Sequence, residues 1–170
     1  IADYRQLLAA FGTGSGDEPV RDVVVIDPQR SGIDQLSDAL SRYRGLDAVH
    51  LLTHGADGGI RLGNDTVDLA ALRDHGESIR GWGEALAADG DLLIYGCNLA
   101  ASADGQGLIT TLSLLTGADV AASDDLTGHQ SLGGDWDLEY QAFRPAHVYI
   151  NGDYWGIYNI REKVNRYFVA

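Results

Sequence analysis

Cys97 is the only cysteine among 170 residues, and it stands where the apolar run Asp91-Leu92-Leu93-Ile94-Tyr95 breaks at Gly96. Upstream, a second apolar run, Ala48-Val49-His50-Leu51-Leu52-Thr53, ends at His54-Gly55. Two parallel buried strands, each releasing one of these residues at its carboxyl end, would set an imidazole beside a thiol. That is the arrangement a cysteine nucleophile requires. The structural alternative is a buried cysteine filling an apolar gap and a histidine capping a loop. The residues alone leave both open.

The elements that would position the pair follow from the hydrophobic spacing. Residues 3–11 (DYRQLLAAF) have helical spacing and run into a glycine-rich loop at 12–16. The β-branched run 23–26 reads as a strand stopped by Asp27-Pro28. In 32–43, Ile33, Leu36, Leu40 and Tyr43 recur at helical intervals. Residues 58–67 predict a small hairpin beyond the His54 strand. Helices are predicted at 69–75 and 78–88, before the Cys97 strand, and at 105–115 after it. A short buried strand at 118–123 ends at Asp124-Asp125, and an edge strand is predicted at 133–139. Strand and helix signals thus alternate from 23 to 123. The expected fold is α/β, a mostly parallel central sheet with helices on both faces. Ligands of such sheets bind beyond the carboxyl ends of the strands, and Asp27, His54, Cys97 and Asp124 all fall at such ends.

The tail differs in character. Residues 147–160 are dense in aromatics, with Asn151-Gly152 between two β runs, and predict a hairpin with a primed turn. A short charged helix is expected at 161–170, and a boundary near 143–145, giving domains 1–143 and 144–170.

Composition narrows the function. The length suits one domain with a sizeable core, and the 45% hydrophobic content argues for a folded chain. A formal charge of −13 argues against nucleic acid as a partner. It suits a basic peptide, calcium or simple solubility. No apolar run has the length of a membrane span, so no membrane insertion is expected. The chain opens at Ile1, as a mature product or an excised fragment would.

Four segments carry a resemblance: LLTHGADGGIRLG (51–63), DLLIYGCNLAASADG (91–105), TGADVAASDDLTG (116–128) and GGDWDLE (133–139). Together they resemble the bacterial DUF4347-type domain of very large surface and adhesin-like proteins. That domain in turn looks like a divergent relative of caspase- and gingipain-like cysteine peptidases, which share a His-Gly after one strand and a Cys after the next. The resemblance implies a caspase-like three-layer sandwich whose domain usually opens with one more strand. The tail 144–168 resembles a fragment of the kinase-like fold of CotH-type spore-coat proteins, too short to imply kinase activity.

From this resemblance follow roles. Cys97 would be the nucleophile and His54 its proton carrier, acting mainly on the leaving amine. The backbone N–H groups of Gly55 and Cys97 would be oxyanion donors, and glycine at 55 would let the substrate carbonyl approach. Asp124 and Asp125 sit where related peptidases build a pocket wall and would favour a basic P1 residue. An Asx-rich turn is the alternative. Asp57 would contribute to a pocket rim. The expected activity is a cysteine endopeptidase acting on a peptide or protein substrate, including the parent chain by autoprocessing, in a secreted or cell-surface bacterial protein. The alternative is a non-catalytic module of a surface adhesin.

Other residues read blandly. Asp104 is expected as the N-cap of the helix at 105, and His50 as a satisfied core histidine. No HxxxH or CxxC spacing exists, so no metal site is expected. Asp135 and Asp137 flank Trp136 on one strand face and would suit calcium, though solvated edge carboxylates are the commoner case. No other cofactor is implied. Gly12-x-Gly14-x-Gly16 follows a predicted helix and lacks the setting of a nucleotide loop.

Overall fold

A computed structural model describes residues 22–127 and 137–142, together with the backbone of the strands at 145–150 and 153–159. In chain order the elements are α1 (Gly32–Leu40), β1 (Leu46–Leu52), β2 (His54–Ala56), β3 (Gly59–Leu62), β4 (Asp65–Val67), α2 (Leu69–Asp74), α3 (Gly76–Gly83), β5 (Leu86–Tyr95), α4 (Ala103–Thr116), β6 (Asp119–Ala122), β7 (Tyr140–Ala142), β8 (Pro145–Ile150) and β9 (Asp153–Asn159).

The main sheet has the order β1-β5-β6-β7. β1 and β6 each run parallel to β5, and β7 closes the edge antiparallel to β6. Strands β2, β3 and β4 form a separate antiparallel sheet, and β8 pairs with β9 in a hairpin. This mixed, mostly parallel α/β arrangement is consistent with a caspase-like sandwich.

Alternation along the strands separates two faces. Leu51, Leu92, Ile94, Val120 and Ala122 pack in one core with Ile33, Leu36 and Leu40 of α1, Trp82 of α3 and Leu108, Ile109 and Leu112 of α4. The opposite parity gives a smaller cluster of Tyr95, Ala121 and Leu138, flanked by Leu52 and Leu93. Among the described residues, all four helices therefore lie on one face of the sheet. The helix predicted at 3–11 lies outside the described residues, as does the one at 161–170.

Caps fix the helix ends. The Ser31 hydroxyl accepts the Asp34 N–H and itself donates to the Asp65 carboxylate of β4, 2.8 Å away. The same carboxylate accepts the Ile33 N–H at 3.0 Å, so the small sheet is bonded to the amino end of α1. Asp68 caps α2 through the Ala70 and Ala71 amides. At the other end of α4, Gly117 takes the left-handed conformation.

Several expectations change. Residues 23–26 are not a strand: the segment has no ladder partner among the described residues, and Val23, Val24 and Val25 are exposed. It is tied down at both ends, by Tyr43 Oη, just past α1, donating to Asp22 and by the Asp27 N–H donating to the Gln35 side chain of α1. Asp27 is consequently not at a strand end. The helix expected at 78–88 stops at Gly83, because Leu86 already pairs with Leu46 in β1. Ala87 and Ala88 favour helix intrinsically, but they lie in an irregular stretch of the strand held on either side by the pairing of Leu86 and Asp91 with β1. An edge strand falls at Tyr140–Ala142; of the expected 133–139, residues 137–139 precede it outside any strand and 133–136 lie outside the described residues. The aromatic hairpin forms as expected, its two turn residues lying outside the described set.

Candidate functional site

The parallel registers Leu52↔Tyr95 and Ile94↔Ala122 align the carboxyl ends of β1, β5 and β6. His54, Cys97 and Asp124 leave these ends at the same edge of the sheet. The last contact along β1 is the Thr53 N–H donating to the Tyr95 carbonyl at 3.0 Å. The Cys97 amide lies beyond the final paired rung.

Gly55 brings the two segments together. A Cβ built on it would lie 2.6 Å from the Gly96 carbonyl carbon and 2.8 Å from the Cys97 carbonyl oxygen. No larger side chain fits there, so the His54-Gly55 and Gly96-Cys97 backbones touch because both segments carry a glycine. His54 is exposed and Cys97 half-buried. No hydrogen bond joins them among the described residues, and the Cys97 thiol donates to the Thr127 carbonyl at 3.6 Å.

Cys97 sits in a tight turn. The Leu99 N–H donates to the Gly96 carbonyl at 3.3 Å, and Asn98, the third residue, has φ of 54°. A four-residue turn with positive φ at its third position is the type II pattern, which accepts Gly or Asn there. The Asn98 N–H donates to the Asp125 carbonyl at 2.6 Å, and the Ala100 N–H to the Ser123 carbonyl at 3.1 Å. The cysteine turn is thus bonded to the end of β6.

Asp124 and Asp125 are exposed at that end. The Asp125 carboxylate accepts the Ser123 hydroxyl at 3.3 Å, and the Asp124 N–H donates to the Glu139 carboxylate at 3.2 Å. Glu139 is raised above the usual carboxylate range by burial, and the charges of Asp125 and Asp124 push the same way. Three carboxylates therefore gather beside the cysteine turn. Asp57 lies in the β2–β3 turn, where it accepts the Ser102 hydroxyl at 2.5 Å. Ser102, not Asp104, is the N-cap of α4, and Asp104 falls in the first helical turn. The helix approaches closely because a Cβ at Gly105 would meet the Leu99 carbonyl oxygen at 1.8 Å.

His50 is exposed, not a core residue, and stacks on Tyr95 with ring centroids 5.8 Å apart. Burial pushes the Tyr95 hydroxyl up to about 12. Asp135 lies outside the described residues, and no group of three His, Cys, Asp or Glu side chains placed to hold a metal ion occurs among those described. Asn98, Glu139 and Thr127 were not picked out by sequence reasoning. The asparagine after the cysteine was the one available signal, since Asn is favoured at positive φ.

No helix among the described residues is long and apolar enough to cross a membrane. No curated protein and no solved structure is significantly similar to the chain. A family profile does match, over residues 1–156, and it runs past the boundary expected after residue 143 into β9. That span takes in all three strand ends and the turn at Cys97, and the chain belongs to the family described as a domain of unknown function, DUF4347.

Proposed function

We propose that the protein is a cysteine endopeptidase with a His54/Cys97 dyad. The reading rests on the direct contact of the His54-Gly55 and Gly96-Cys97 backbones at adjacent parallel strand ends. In the proposed reaction the Cys97 thiolate attacks the scissile carbonyl carbon and a C–S bond forms. The Gly55 and Cys97 N–H groups take the developing oxyanion. The C–N bond then breaks, His54 delivers a proton to the leaving amine, and water hydrolyses the thioester. The bond from the thiol to Thr127 must open before attack. Asp124 and Asp125, with Asp57 at the rim, give the substrate side a negative field that favours Arg or Lys at P1. Autoprocessing of a secreted or cell-surface parent chain is the corresponding role.

A second reading, a non-catalytic adhesin module, is favoured by the absence of a His54–Cys97 hydrogen bond among the described residues and by the thiol's bond to a carbonyl. Alkylation of Cys97 by limiting iodoacetamide, from about pH 5 to 9, separates the two. The peptidase reading expects labelling well below the ordinary thiol range near 8.5. His54→Ala should slow it, and an Arg chloromethyl ketone should block it. Labelling that rises only near pH 8.5 and ignores His54→Ala would sink the dyad in favour of the module.

A further inference from the structure

We infer that Asn98 is a positioning residue whose left-handed backbone seats the Cys97–Asn98 peptide against the His54-Gly55 segment and so sets where His54 stands relative to Cys97. The inference rests on the dyad reading. It starts from Asn98 being the one non-glycine residue of positive φ among those described, placed directly after the candidate nucleophile.

The peptide linking Cys97 to Asn98 is gripped from both sides. Its carbonyl oxygen points toward Gly55, close enough that a Cβ there would stand 2.8 Å from it. Its N–H points the other way and donates to the Asp125 carbonyl at 2.6 Å. One peptide plane thus spans the gap between the end of β1 and the end of β6, with Cys97 riding on it. The plane keeps this orientation only while residue 98 holds positive φ, as the third position of a type II turn demands. If residue 98 reverted to negative φ, the plane would rotate, the N–H would leave Asp125, and the Cys97 carbonyl would leave its seat against Gly55, releasing the segment that carries His54. Asparagine tolerates the left-handed region, whereas β-branched residues are outliers there. The Asn98 side chain itself is exposed, so its contribution runs through the backbone.

The test compares Asn98→Gly, Asn98→Ala and Asn98→Val, each with and without His54→Ala, by the pH profile of Cys97 alkylation and by thermal melting. Glycine adopts positive φ freely, so Asn98→Gly should retain the wild-type profile. Asn98→Val should lose the His54-dependent rate by on the order of 10–100-fold and move toward the profile of a free thiol. If Asn98→Val fails to fold, Asn98→Ala supplies the intermediate case, with a smaller loss in the same direction. A merely structural residue would lower the melting temperature while leaving the profile of the folded protein unchanged, and that result overturns the inference. A wild-type profile already like a free thiol, indifferent to His54→Ala, overturns the dyad and the role of Asn98 with it. An activated wild type whose Asn98→Val variant is equally activated overturns Asn98 alone.

Discussion

Gly55 makes contact between two chain segments possible by having no side chain. Its neighbours on the far side are backbone atoms of Gly96 and Cys97, which cannot rotate away as a flexible side chain could. Gly55→Ala should therefore force β2 outward, carrying His54 with it. Overpacking of this kind typically costs about 1–3 kcal/mol. The expected outcome is a melting temperature lowered accordingly and a Cys97 alkylation rate that no longer responds to His54→Ala. An unchanged response would mean that the contact is not what sets the pair. At this scale the His and Cys were legible in sequence as chemistry-bearing types at apolar strand ends. Asn98, Thr127 and Glu139 were not, because each acts through a backbone group or through a neighbour distant in sequence. The Thr127 contribution is a carbonyl oxygen, which any residue supplies. Glu139 meets Asp124 only because β7 returns antiparallel beside β6.

At the scale of elements, Asp65 links the small sheet to the amino end of α1, beside the single bridge between Ser31 and Gly63. Burial raises its pKa, but the Ile33 N–H, the Ser31 hydroxyl and the Gly32 N–H outweigh this and hold it below the usual carboxylate range. A carboxylate lowered on folding stabilises the native state above its unfolded pKa, about 3.9. That stabilisation is lost as pH falls through the still lower folded value. Asp65→Asn should therefore cost about 1 kcal/mol at pH 7, with the gap from wild type closing below about pH 4. Urea unfolding at the two pH values checks it, and a gap independent of pH would remove the charge from the account. Most elements were legible in sequence because their apolar spacing is strong: α1, β1, β5, α4 and β6 all fall near their expected places. The failures are informative. Residues 23–26 have strand-forming side chains, yet without a ladder partner they stay irregular, since a strand exists only in a sheet. Residues 86–90 contain helix-favouring alanines and become the start of β5, since β1 offers a pairing edge.

For the whole molecule, the charge of −13 is a field and not a set of contacts. If the substrate is basic, encounter should be steered by that field and screened by salt. Inactivation by an Arg chloromethyl ketone should slow several-fold between about 0.01 and 0.15 M salt, while alkylation by neutral iodoacetamide should hold steady. Equal salt responses would detach the acidic surface from recognition. The overall α/β class was legible in the alternation of strand and helix signals. Which residues cover each face of the sheet was not, because alternation sets parity and leaves the layer on each face undefined. One consequence lies in the division of the strands into two sheets. Cys97 follows β5, flanked by β1 and β6 within the larger sheet, whereas His54 is the first residue of β2 in the smaller one. The two members of the pair thus belong to different sheets, yet Ile60, Leu62 and Val67 bury the smaller sheet in the same core as Leu51 and Ile94. A cavity cut at Val67 or Ile60 should therefore shift the imidazole relative to a thiol carried on the other sheet, so the site can come apart through its core in a molecule that is still folded.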